Sequence, residues 1–368
     1  MDDICVGFIG FGLIGGSIAR ALREKHPNYT LIAYNYRTGP NPNLIKAKED
    51  GCLNEIYSDL APSFAQCDLI FLCAPVIRNI SYLERLKTII KPTCILTDVG
   101  SVKGNIHNAV KEIGLERQFI GGHPMAGSEK TGYLHSTSTL LQNAYYILTP
   151  TEETPKESVE IFAQYVKEFG AIPITLSPKQ HDDATALVSH VPHIIAATLV
   201  NTVRNQDTKD GLLHSLAAGG FKDITRIASS SPVMWENICI TNRNSILQFL
   251  SCYEDTLHTL IQSLKDGDET RLIQYFEQAK EYRDSIPHKS VGTIEKVFEI
   301  YVDIIDETGA IATIATILAS NNVSIKNIGI VHNREFEGGV LRIELYEESA
   351  RMKTVSLLNQ YHYTIYER

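Results

Sequence analysis

A chain of 368 residues, 43% hydrophobic and 21% charged, has the balance of a globular protein of two or three domains, which excludes a disordered or fibrous one. A formal charge of -9 and the lack of any dense Lys/Arg block argue against a nucleic-acid or anionic-membrane surface, so the expected partner is small. Seven cysteines without a CxxC pair argue against disulfides and a structural zinc.

The N-terminal stretch MDDICVGFIGFGLIGG runs straight into a strand with neither a basic region nor a cleavage site. No uninterrupted apolar run approaches the roughly 20 residues a bilayer requires, so a cytoplasmic protein is expected. From residue 4 to about 176 the apolar runs ICVGFIG, TLIAY, LIFLCAP, CILTDVG, QFIGG, AYYILTP and AIPITL alternate with helical patterns. That alternation predicts a Rossmann-like, largely parallel α/β sheet. The first run leads into Gly10-x-Gly12-x-x-Gly15, directly before a helix with apolar Leu13, Ile14, Ile18 and Leu22. Gly10 permits a tight turn, Gly12 lets backbone approach a pyrophosphate, and Gly15 lets helix and strand pack closely. The helix start at Leu13 and Ile14 would face the anion, so a dinucleotide is expected there.

At the end of the second strand, LIAYNYRTG has Asn35 where an acidic residue usually bonds the ribose hydroxyls, with Arg37 two residues on. Asn35 can still bond a hydroxyl and Arg37 could pair with a 2′-phosphate; NAD is the expected cofactor and NADP stays open. The stretch TDVGSVKG, residues 97–104, lies at the carboxyl edge of the sheet. It reads either as a ligand contact through Asp98 or Ser101 or as a turn in which one of them caps the next helix. In GGHPMAGSEKTG, residues 121–132, four glycines and a proline predict a loop that presents His123.

From Pro178 to about Ser285 strand-like runs vanish and helical spacing takes over, which predicts an all-helical domain. A helix through HDDATALVSHVPH would place Ser189 and His193 at i, i+4 and His190 and His193 at i, i+3 on one face, with Pro192 complicating it. His190 reads equally as a hydrogen-bonded core residue. An H-x-x-H metal site lacks a third ligand at suitable spacing, so no metal is expected. Further on stand Arg226, which spacing alone would allow as a solvated helix residue, and the single tryptophan, Trp235. The segment IPHKSVGTIEK reads as a linker, and the remainder as βαββαβ, a ferredoxin-like unit. The expected domains are 1–177, 178–286 and 296–368, joined by a linker over 287–295.

GFGLIGGS, DVGSVK, GGHPMAGSEKTG, HDDATALVSHVPH and GGFKDITRIASSSPVMW occur in the order and at the spacings of the prephenate dehydrogenase family, which the chain resembles from residue 4 to about 285. From about 296 it resembles an ACT domain. The resemblance implies oxidative decarboxylation of prephenate to 4-hydroxyphenylpyruvate with NAD, in tyrosine biosynthesis. His123 would bond the ring hydroxyl and take its proton as hydride leaves the same carbon, and Ser101 would hold that hydroxyl. Arg226 would receive the ring carboxylate that departs as CO₂. His193 would meet the pyruvyl side chain with Ser189, His190 and Gly219 nearby, and Glu129 and Trp235 would organise the pocket wall. The resemblance also implies a homodimer through the helical domain and inhibition by L-tyrosine, either at the active site or through the ACT domain. Two departures stand out: Asn35 replaces the acidic residue, and no helical segment precedes the first strand, so a fused chorismate mutase is not expected. The rival readings are an arogenate dehydrogenase, a β-hydroxyacid dehydrogenase and a non-catalytic sensor of NAD and an amino acid. The second would lead us to expect a catalytic Lys, whereas Gln180 to Asn205 holds histidines and no Lys. The third would need neither a base nor a carboxylate clamp.

Overall fold

The apolar runs of the N-terminal region become strands, those inside the sheet largely buried on both faces and the edge strand at its end only partly covered. They are β1 (Cys5–Ile9), β2 (Thr30–Tyr34), β3 (Glu55–Tyr57), β4 (Leu69–Leu72), β5 (Ile95–Asp98), β6 (Phe119–Pro124), β7 (Tyr145–Pro150) and β8 (Ile172–Thr175) in a computed structural model. The structure describes residues 4–61, 63–127, 130–286, 298–304, 308–331 and 339–366. Among them the eight strands run in the order β3-β2-β1-β4-β5-β6-β7-β8, and every pairing is parallel except that of β6 with β7. Seven of the strands fall on the seven apolar runs. The eighth, β3, is a three-residue edge strand without a fully buried residue, too short and too polar to announce itself.

Alternation along β1 divides the core in two. Val6 and Phe8 point into a cluster with Phe71, Tyr146 and Phe162, while Cys5 and Ile9 point into another with Phe64, Leu83, Leu86 and Phe119. Phe8 stacks on Phe71 at 5.4 Å between centroids, and each such fully buried ring contributes about 2–3 kcal/mol of transfer free energy. Helices α1 (Leu13–Lys25), α2 (Pro42–Glu49), α3 (Val76–Lys87), α4 (Gly104–Ile113) and α5 (Lys156–Glu168) connect the strands. Because β1 lies between β2 and β4, strand order reverses beside it, which places a ligand crevice at the carboxyl ends of β1 and β4.

The helical region follows as expected. It comprises α6 (Pro178–Thr185), a π-helical turn (Ala186–His190), α7 (Val191–Gln206), α8 (Leu212–Leu216), α9 (Gly219–Thr225), α10 (Pro232–Thr241), α11 (Arg243–Asp266) and α12 (Glu269–Ser285). Ser177 and Gln180 form a capping box that starts α6. Pro192 does not break the helix. It stands just after the π turn, where the lost N–H is absorbed by the local change of pitch, and 178–206 stay continuous. By length and hydropathy this helix could cross a bilayer, but it carries buried, hydrogen-bonded His181, Asp182 and His190 and packs on α11.

The chain divides into two units, Met1–Ser290 and Val291–Arg368. The second holds β9 (Phe298–Ile304), α13 (Ala310–Ser320), β10 (Ile325–Val331), β11 (Gly339–Leu345), α14 (Glu348–Gln360) and β12 (Ile365–Tyr366). Its sheet order, β10-β11-β9-β12 with all pairings antiparallel, is the ferredoxin-like arrangement read from the sequence. Ile300, Val302, Ile314, Leu318, Leu341, Ile343 and Leu358 form its core. The expected linker, 287–295, lies outside the described residues.

Candidate active site

The turn after β1 has the geometry a dinucleotide needs. Gly10 has φ of +85°, and a Cβ there would lie 2.6 Å from Ala74 N. A Cβ on Gly15 would lie 3.1 Å from Gly10 O and 3.2 Å from Cys73 Sγ, so helix and strand are as close as the glycine allows. Gly12, the N-cap of α1, faces open space: among the described residues nothing beyond its chain neighbours lies within 4 Å of where its Cβ would be. The first turn of α1, which includes Leu13 and Ile14, has no acidic residue. Its free N–H groups and the helix dipole therefore suit a pyrophosphate.

At the end of β2, Asn35 folds its amide into its own turn: Oδ1 accepts from Arg37 N at 3.2 Å and Nδ2 donates to Gly39 O at 3.1 Å. Tyr36 is flanked by Arg37 and by Arg78, a second cation that sequence reading did not single out.

Asp98, read from the sequence either as a cofactor contact or as a helix cap, is turned inward instead. Its side chain is fully buried, with Oδ2 at 2.5 Å from Lys103 Nζ and 2.9 Å from Gly100 N, and Oδ1 at 3.1 Å from Gly122 N. Lys103 Nζ also donates to Gly122 O at 2.7 Å. Burial pushes the Lys103 ammonium below its ordinary pKa, while Asp98 opposes the shift. Neither Asp98 nor Ser101 caps α4. Asp182, from α6, does so, accepting from Lys103 N at 2.8 Å and from Gly104 N at 2.7 Å. Ser101 is half-buried three residues beyond β5, at the carboxyl edge of the sheet.

His123 is also corrected in its setting: it stands in β6, paired with Ile147 of β7, and not in a loop. The preceding glycines are there for close packing. A Cβ on Gly121 would meet Thr149 Oγ1 at 2.2 Å, and one on Gly122 would meet Asp98 O at 2.5 Å. The Asp98–Lys103 pair thus pins the backbone immediately ahead of His123. His123 Nδ1 lies 2.8 Å from His181 Nε2, and His181 Nδ1 lies 2.7 Å from Asp182 Oδ1. His181 escaped sequence reading; its only signal was the HDD at a helix start. Burial, with His181, Lys103 and His190 adding to it, holds the His123 pKa well below the usual histidine value, so the ring is neutral at neutral pH.

The helical region brings a second group together. His193 stacks on Trp235 with centroids 4.0 Å apart, and His190 meets the same ring edge-on at 6.0 Å. His190 is buried and bonded through Nδ1 to Asn242 Nδ2 at 3.1 Å, the core role read as one of its two alternatives. Ser189 meets His193 through its carbonyl, 2.9 Å from Nδ1. Among the described residues the buried Trp235 indole N–H has no partner, a donor that costs about 1–3 kcal/mol until an acceptor arrives. Arg226 is exposed at the start of a short 3-10 turn that packs on α7, and Gly219 is exposed at the start of α9. Glu129 lies outside the described residues.

The buried imidazoles have a consequence for stability. Burial lowers His107 and His190 to about 4, and His123 and His181 below their ordinary value. Below the unfolded value of 6.5 the unfolded chain takes up protons that the native state refuses, so stability falls as the pH drops from there towards 4. Each group costs about 1.4 kcal/mol per pH unit within the window. The urea midpoint should accordingly be lower at pH 5 than at pH 7, and equal midpoints would contradict the burial of these rings.

A glycine turn beneath an open helix N-terminus, with a neutral imidazole two strands from the crevice, defines a nucleotide-dependent dehydrogenase with a helical second region. Residues 18–175 match the nucleotide-binding domain of prephenate dehydrogenase, and residues 177–278 match its dimerization domain. The chain is 36% identical over 346 residues to the prephenate dehydrogenase of Bacillus subtilis, covering 94% of this chain and 92% of that one. It superposes with a TM-score of 0.72 and 32% identity on Aquifex aeolicus prephenate dehydrogenase in complex with hydroxyphenyl propionate and NAD+, covering 78% of this chain and 99% of that one. A Synechocystis arogenate dehydrogenase gives 0.70 and 30%, covering 77% and 100%. The chain belongs to the prephenate dehydrogenase family.

Proposed function

We propose that this chain oxidises prephenate with NAD, releasing CO₂ and leaving 4-hydroxyphenylpyruvate, as a cytoplasmic homodimer in L-tyrosine biosynthesis. The observation that carries the reading is His123, a neutral, hydrogen-bonded imidazole on β6, two strands from the nucleotide-binding crevice. His123 removes the ring hydroxyl proton, and Ser101, on the neighbouring strand connection, holds that hydroxyl. NAD, when bound, accepts the hydride from the hydroxyl-bearing carbon. Arg226 clamps the ring carboxylate with its planar fork. As the carbon to carboxylate bond breaks, its electron pair enters the ring, which becomes aromatic, and the ring oxygen takes its proton back from His123. His193 and Trp235 receive the pyruvyl end, where the unpartnered indole N–H meets an oxygen of the side chain; Ser189, His190, Gly219 and Glu129 complete that wall. Gly10, Gly12, Leu13, Ile14 and Gly15 hold the pyrophosphate, and Asn35 and Arg37 stand at the ribose. With no acidic residue there to repel a 2′-phosphate, NADP should also be accepted, less well than NAD.

The dimer reading has its own support. Leu212, Leu216, Val233, Ile240 and Leu264 of the helical region are each more than half exposed, and the domain it matches is a dimerization domain.

The similarity to the Synechocystis enzyme keeps arogenate as the second reading. Steady-state kcat/KM with each substrate tests it. We expect prephenate to be preferred, and a preference for arogenate would change the substrate while leaving the base and hydride chemistry in place.

The ferredoxin-like second unit supports L-tyrosine as inhibitor through an ACT domain. In a chain truncated after Ile286, turnover should persist and tyrosine inhibition should be lost. Undiminished inhibition in the truncated chain would remove this route and assign tyrosine to the active site.

A further inference from the structure

The hydrogen bonds behind His123 determine more than its position. The Asp182 carboxylate already accepts two backbone N–H groups, from Lys103 and Gly104, and its Oδ1 lies 2.7 Å from His181 Nδ1. A carboxylate in that setting only accepts, so the proton between the two groups belongs to His181 Nδ1. Burial also lowers the His181 pKa, which keeps the ring neutral. A neutral imidazole protonated on Nδ1 carries a lone pair on Nε2. That lone pair lies 2.8 Å from His123 Nδ1 and can only accept, which makes His123 Nδ1 the donor. The free lone pair of His123 must then be on Nε2. The arrangement is braced from the junction of α10 and α11, where Asn242 Nδ2 donates to the Asp182 carbonyl at 2.9 Å.

We propose that His181, oriented by Asp182, is a positioning residue that keeps the proton of neutral His123 on Nδ1 and leaves Nε2 as the atom that takes the substrate's proton. The proposal rests on the reading of His123 as the base. It adds a second imidazole between base and carboxylate, where the serine-protease arrangement has the carboxylate alone. With the other tautomer, His123 would present an N–H to the substrate hydroxyl and could not accept its proton. When Nε2 is protonated, the Nδ1–H bond to His181 remains, so the charge forms without any rearrangement. The charged and titratable groups facing His123 are His181, Lys103 and His190, and those facing His181 are Asp182, Lys103 and Asp98. Of the two carboxylates only Asp182 is hydrogen-bonded to His181, while Asp98 is held by Lys103 and by the backbone one residue before His123.

The test uses the full chain with ¹⁵N-labelled histidine, together with kinetics of His181→Leu, His181→Gln and His123→Asn. In the wild type near neutral pH, His123 should show a protonated Nδ1 and a bare Nε2. His181→Leu should mix the tautomers and lower kcat by about 10- to 100-fold with little change in KM. His181→Gln, whose Oε1 can accept the same N–H, should recover most of that loss. A wild-type His123 protonated on Nε2 would overturn the proposal even if His181→Leu failed to fold. So would a folded His181→Leu with wild-type kcat and tautomer beside an inactive His123→Asn, which would leave the base reading standing. Wild-type turnover in His123→Asn would instead sink the base reading itself, and the proposal with it.

Discussion

Replacing His123 with Asn is expected to lower kcat by about 10²- to 10⁴-fold while leaving prephenate binding nearly intact. The Asn amide can still donate towards His181 Nε2, so the buried neighbour keeps a partner and the strand keeps its place. What is lost is the lone pair that receives the hydroxyl proton. Steady-state turnover together with a substrate-binding titration separates the two effects. A variant that turns over near the wild-type rate would remove His123 from the chemistry.

Lys103→Met should destabilise the chain by about 3–5 kcal/mol, because it strands the Asp98 carboxylate in a site with no exposure to water. The same substitution takes a donor from Gly122 O, one residue before His123, so turnover of the folded fraction should fall as well. Adding Asp98→Leu should restore part of the stability, since the buried charge is then gone, although Gly100 N and Gly122 N lose an acceptor. Urea denaturation of the single and double variants measures both effects. A loss below about 1 kcal/mol for Lys103→Met would mean that the pair is not buried as the structure places it.

The parts of this molecule that are legible in one dimension are those set by neighbours in sequence. The seven apolar runs, the three glycines around the start of α1, the helical spacing after Pro178 and the βαββαβ order each depend on residues a few positions apart. The misread parts depend on contacts between distant segments. Gly121 and Gly122 resemble turn glycines in sequence, yet they are in a strand because Thr149 and Asp98 press against them. Asp98 resembles a ligand residue or a cap, but its charge is taken by Lys103, and the actual cap of α4 comes from Asp182, 78 residues beyond Gly104. His181 stayed hidden for the same reason: an imidazole at the start of a helix gives no sign of which strand it will face. The motif resemblance identified the family without any of these contacts, because the spacing of the motifs reflects the site even where the local structure is misread.

The most direct test of the account is the near-ultraviolet absorbance of reduced nicotinamide when the purified chain is mixed with prephenate and NAD, with CO₂ release followed in parallel. The account predicts equal amounts of reduced cofactor and CO₂, formed rapidly by the wild type and not by His123→Asn. Binding of NAD and prephenate with no reduced cofactor would contradict it and favour a sensor built on the same fold.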